Sequence, residues 1–151
     1  MPPHARSWRS EGGAWSPLEV AHHLALIEAQ VLGGMTGDAT GARRAQDRIG
    51  RIGLRAVFRF GLRVSIPTEA VRPDPTLPMG EVDEIWTEAR EALLEHLRGL
   101  DHEALREARF RHPVAGPLSP LGWIDFLVDH QNHHFRQLHR IRSRPDFPWN
   151  V

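Results

Sequence analysis

Ser119-Pro120-Leu121-Gly122-Trp123-Ile124-Asp125-Phe126-Leu127-Val128-Asp129-His130-Gln131-Asn132-His133-His134-Phe135-Arg136-Gln137-Leu138 reads as the opening and body of one long helix, predicted over Pro120–Ile141. Ser119 can cap it, and proline is tolerated at the first helical position because its missing N–H has no intrahelical partner there. Trp123, Leu127, Leu138 and Ile141 recur at helical spacing and define an inward stripe. His130 and His134 fall inside that stripe one turn apart, where both imidazoles can reach a single metal ion. Gln137 lies at its edge, His133 is displaced toward the rim, and His139 points outward.

The same start signal occurs near the beginning of the chain. In Trp15-Ser16-Pro17-Leu18-Glu19 the serine caps, the proline takes the first helical position, and Glu19 stands three residues after the cap. This predicts a helix over Pro17–Leu32, ended by Gly33-Gly34. Its apolar stripe is Val20, Leu24, Ile27 and Val31. His23 falls at the edge of that stripe, whereas His22 falls on the far side near Leu18 and Leu26, so His23 is the third candidate ligand. Burying three imidazoles costs desolvation for each, and a shared cation supplies one partner to all three.

Between these helices, Ala42–Phe60 reads as a helix weakened by Gly50 and Gly53, with Arg43, Arg44, Arg48, Arg51, Arg55 and Arg59 forming a solvated basic face. Residues Ser65–Met79 contain Pro67, Pro73, Pro75 and Pro78 and are expected as an extended surface connection. Val82, Ile85, Trp86, Ala89, Leu93 and Leu97 predict an amphipathic helix over Glu81–Leu100. A short helix over Glu103–Ala108 and an irregular piece over Phe110–Pro117 follow. No run alternates with period two, so the fold class is all-α, an up-and-down four-helix bundle with a long crossing connection.

With 151 residues the chain is the size of one domain. We place an N-terminal extension at 1–14 and the bundle at 15–151. Its 19 basic and 19 acidic residues balance, which argues against nucleic acid as a partner. It has no cysteine, so any thiol chemistry must use a sulfur brought by the substrate. No apolar run is long enough for a signal peptide or a membrane span, and the expected location is cytoplasmic. Two other metal chemistries fit poorly. The zincin pattern needs a glutamate between the paired histidines, and a di-iron bundle needs two Glu-x-x-His strings, of which only Glu19-Val20-Ala21-His22 is present, with both end residues turned from the stripe. Glu19 is read instead as helix-start charge. Trp15, Trp86 and Trp123 are expected in core or cap packing, with the alternative that one lines a pocket.

Two separated signatures, Trp15-Ser16-Pro17-Leu18-Glu19-Val20 leading to His23-Leu24, and His112-Pro113 with Gly116 leading to His130-x3-His134-x2-Gln137, resemble the DinB/YfiT-like superfamily of metal-binding helical bundles. Arg72-Pro73 and the helix carrying Arg90 and Leu93 resemble its middle section. The resemblance runs from about Trp15 to Arg142. It implies one divalent metal ion (zinc, nickel or iron) held by His23, His130 and His134; beside them we assign Gln137 either to support a ligand from behind or to fill a polar edge of the interface, and His133 as a weaker candidate for proton transfer. It further implies a hydrolase or a transferase acting on a small-molecule substrate such as a low-molecular-weight thiol. The superfamily's usual first helix is short, missing or replaced here. The basic segment Ala42–Phe60 or a second copy would then fill its place, and a homodimer is expected. The alternative is a non-catalytic stress-response bundle acting through dimerisation or a protein partner.

Overall fold

A computed structural model describes residues 1–10, 14–37, 44–60 and 69–149. Its helices are α1 (Pro3–Arg6), α2 (Pro17–Met35), α3 (Arg44–Phe60), α4 (Met79–Gly99), α5 (His102–Glu107) and α6 (Pro120–Arg142), with two strands, β1 (Phe110–His112) and β2 (Gly116–Leu118), ahead of α6. The four long helices, α2, α3, α4 and α6, make the bundle. Helix α2 lies between α4 and α6, and α3 packs on α6 and on β2. The basic segment thus sits against α6, and among the described residues ahead of α2 the one helix is the four-residue α1.

Local chemistry explains the helix starts. Ser16 and Glu19 form a reciprocal capping box, with the Glu19 N–H donating to Ser16 Oγ and the Ser16 N–H to the Glu19 carboxylate. Ser119 accepts from the Gly122 N–H, and Asp101 from the Ala104 N–H, at the starts of α6 and α5. The main core joins Ile27, Val31 and Met35 of α2, Leu54 of α3, Leu93 of α4 and Trp123, Phe126 and Leu127 of α6. A smaller one joins Ala5 to Ile141 and Phe147, tying the two ends of the chain together.

Four expectations need correction. Helix α2 runs through Gly33-Gly34 to Met35. A Cβ at Gly34 would lie 2.5 Å from the Trp123 ring, so this glycine permits close packing rather than stopping the helix. Phe110–Pro117 is not irregular: β1 and β2 pair antiparallel, with Phe110 opposite Leu118 and His112 opposite Gly116. Three-residue strands are too short to show period-two alternation, and Gly116 at φ +75° makes the turn. Part of the proline-rich connection is a 3-10 turn, Glu69–Val71; residues 65–68 of that stretch, like Ala42 and Arg43, lie outside the described residues.

The fourth concerns which faces of α2 are covered. Glu19 and His22 were expected to face away from the core, yet they are 5% exposed each. A helical wheel finds the most apolar stripe, but α2 is enclosed by α4, α6, β1, the 3-10 turn and α1, so polar positions are buried too. The arginine face of α3 is solvated as expected where it is described, with Arg51 and Arg55 pairing to Asp125 and Asp129 of α6.

Candidate metal centre

His23 leaves α2 six residues after Pro17, while His130 and His134 occupy successive turns on the inner face of α6. Packing α2 against α6 turns the three Nε2 atoms toward one another. His23 Nε2 lies 3.4 Å from His130 Nε2, and His134 Nε2 lies 3.3 Å from it. One ligand nitrogen from each residue falls within 4.8 Å of the others. Zinc–nitrogen bonds of about 2.0–2.1 Å in a tetrahedral site place neighbouring ligand nitrogens about 3.3 Å apart, which the two shorter separations match.

The outer nitrogens fix which inner ones offer lone pairs. His23 Nδ1 is 2.7 Å from the Val71 carbonyl oxygen, which can only accept, so His23 carries its proton at Nδ1. His134 Nδ1 is likewise 2.7 Å from Gln137 Oε1 and donates to it. Both Nε2 atoms therefore present lone pairs to His130. One proton on His130 cannot serve two acceptors well, whereas a divalent ion satisfies all three lone pairs at once. His130 Nδ1 is buried with no hydrogen-bond partner.

Electrostatics keep the ligands neutral. Burial pushes the His130 imidazole down to about 2, with the neighbouring His134 and His23 adding to the effect. His134 is lowered to about 4, again chiefly by burial. His23 is also lowered by burial, against the opposing pull of its bond to Val71. At neutral pH the centre is three unprotonated imidazoles, the form that binds metals.

Aromatic rings wall the centre. Trp15 packs 4.8 Å from the His23 ring and stacks on His134 at 6.4 Å, while Phe58 and Phe126 each lie 5.5 Å from His130. Trp15 is therefore part of the site's wall. Trp123 is a core residue, and Trp86 donates its indole N–H to Glu28. His133 stands at the rim, half-buried, with its ring against those of Phe58 and His134.

The sequence profile of the DinB superfamily matches residues 1–138. The chain belongs to the DinB superfamily. Among solved structures it is similar to TT2238, a four-helix bundle protein, with a TM-score of 0.53 and 27% identity across 92% of this chain and 82% of that one. No curated protein matches it significantly.

Within this DinB-superfamily fold, the structure brings His23, His130 and His134 together, sets Gln137 behind His134, and leaves His133 at the edge. Sequence reasoning missed three buried polar contacts of α2. Val71 acts through its backbone carbonyl, which no side-chain pattern encodes. His22 accepts the Asp74 N–H at 3.0 Å and is buried against the same connection. Glu28, with no exposure at all, takes the Trp86 indole N–H, the Arg90 guanidinium and the Gln131 amide. A glutamate at a helical spacing that repeats the apolar stripe of neighbouring turns was the available signal. His112 is buried for structural reasons, its Nδ1 accepting from the Val114 and Ala115 N–H groups.

Proposed function

We propose that this protein is a small metalloenzyme of the DinB superfamily in which His23, His130 and His134 hold one divalent metal ion. The observation that carries the reading is the convergence of three buried Nε2 atoms on neutral imidazoles, two of them held as lone-pair donors by bonds on the opposite ring nitrogen. A zinc, nickel or iron ion on three neutral ligands would keep open positions and supply Lewis acidity either to water for hydrolysis or to a low-molecular-weight thiol for transfer.

The chain's own residues do the rest. Val71 O and Gln137 fix the ring orientations of His23 and His134. Trp15, Phe58 and Phe126 exclude water and raise the strength of every charge interaction inside. His133 accepts a proton at the rim. Burial holds its imidazole below the ordinary range, and the charges of Arg136 and Arg140 lower it further, so it is an unprotonated base at neutral pH. The test is elemental analysis of the protein beside its His23→Ala, His130→Ala and His134→Ala variants. About one metal per chain in the parent and little in each variant is expected; full occupancy in His130→Ala would overturn the site.

One observation favours a second reading, a non-catalytic stress-response bundle acting through a homodimer or protein partner. Leu121, Val128 and Phe135 stand seven residues apart on the outer face of α6 and are 48%, 49% and 50% exposed. Sedimentation that finds a monomer at all concentrations would remove the homodimer.

A further inference from the structure

Two adjacent histidines of α2 grip one short piece of the connection that leads to α4. His23 donates from Nδ1 to the Val71 carbonyl, and His22 accepts at Nδ1 from the Asp74 N–H, three residues further on. Between them the connection alternates: Val71 and Pro73 are buried, Arg72 and Asp74 exposed. Beyond them the Asp74 carboxylate takes the Thr76 N–H and hydroxyl, closing an Asx turn. Before them the Arg72 N–H returns to the Glu69 carbonyl. The carbonyl that orients His23 thus belongs to a segment pinned at both ends, and one of the pins is His22.

We propose that His22 is a positioning residue for the metal centre: by holding Asp74 it keeps the Val71 carbonyl where it sets the His23 ring for ligation. This rests on His23, His130 and His134 being the metal ligands. The physical chain is short. A ligand histidine keeps its orientation through the bond on its outer nitrogen, and losing such a bond costs about 10- to 100-fold in metal affinity. A backbone carbonyl gives that bond only while its segment is fixed, and fixing the segment costs chain entropy. Burial of Val71 and Pro73 meets part of that cost, and the bond from Asp74 to His22 meets more.

Two substitutions separate positioning from packing. His22→Asn keeps an acceptor where Nδ1 stood but gives up ring volume; His22→Phe keeps the volume and gives up the acceptor. Zinc affinity is measured by competition with a chromophoric chelator, and the stability of the zinc-free proteins by urea unfolding. Positioning predicts that His22→Phe binds zinc about tenfold more weakly than the parent and that His22→Asn stays within about threefold of it, whatever their order of stability. Parental affinity in His22→Phe, or equal losses in both variants, overturns the proposal and leaves the centre intact. A parent that binds none of zinc, nickel and iron(II) in the same competition overturns the centre and the proposal together, and if it binds only one of the latter two the comparison is read with that ion. Should His22→Phe not fold, hydrogen exchange of the zinc-loaded parent decides: the Asp74 amide is expected to be protected, and free exchange there overturns the proposal.

Discussion

Two buried polar clusters stand five residues apart on α2, one around Glu28 and one around His23. The Glu28 carboxylate is met by donors from both neighbouring helices, Trp86 and Arg90 from α4 and Gln131 from α6. The cluster is complete within the protein, and its effect is to clamp three helices together. At His23 the situation is opposite. The lone pairs of His23 and His134 both meet the one Nε2 of His130, which has at most a single proton to share between them, and no cationic side chain among the described residues bonds to the three nitrogens. A buried group that satisfies itself is explained by stability, whereas converging lone pairs with their outer bonds already arranged have the chemistry to share a cation.

The comparison breaks most visibly at Glu28. Glu28→Ala strands the Trp86 and Gln131 donors and the Arg90 charge and opens a cavity, with an expected loss of about 3 kcal/mol in urea unfolding, the same with or without zinc. A loss confined to the zinc-loaded protein would erase the distinction between the clusters. Acid should act on the histidines instead. His112 and His134 titrate near 4 when folded against 6.5 in the reference state. Above 6.5 both states are unprotonated and stability is flat. Between 6.5 and 4 the unfolded chain takes up protons first, so stability falls as pH falls, by about 3 kcal/mol for each such group. Unfolding curves of the zinc-free protein at stepwise pH values check this.

Zinc at a hundredfold excess over its dissociation constant should add about 2.7 kcal/mol to the parent, and that increment should vanish in His130→Ala. Calorimetric melts with and without zinc read both. Gln137→Ala is expected to weaken zinc about tenfold through the freed His134 ring, leaving the zinc-free melt nearly unchanged. Smallest is Arg55→Ala, which removes exposed pairs to Asp125 and Asp129 and should change stability by less than about 0.5 kcal/mol.

Much of this molecule was legible without coordinates because the signals are local. Caps at Ser16 and Ser119, prolines just behind them, and apolar spacing placed the long helices to within a few residues. The four-residue separation put His130 and His134 on one face of α6 by helix geometry alone. The hairpin escaped because its strands are three residues long, and the end of α2 was misjudged because a glycine looks the same whether it stops a helix or admits a ring. His22 and Glu28 escaped because a wheel ranks faces by apolarity and cannot say which are covered.

The sequence by itself determined the helices, their inward stripes and the chemistry of the donor set, since each depends on residues within a few turns of one another. The tertiary structure decided what those residues meet. Packing α2 against α6 brought His23 to residues more than a hundred positions away, and the connection supplied a backbone carbonyl with no side-chain signature. Enclosure on all sides made Glu28 a buried charge. Distances of that kind are set by which surfaces exclude water together, and that is a property of the whole fold.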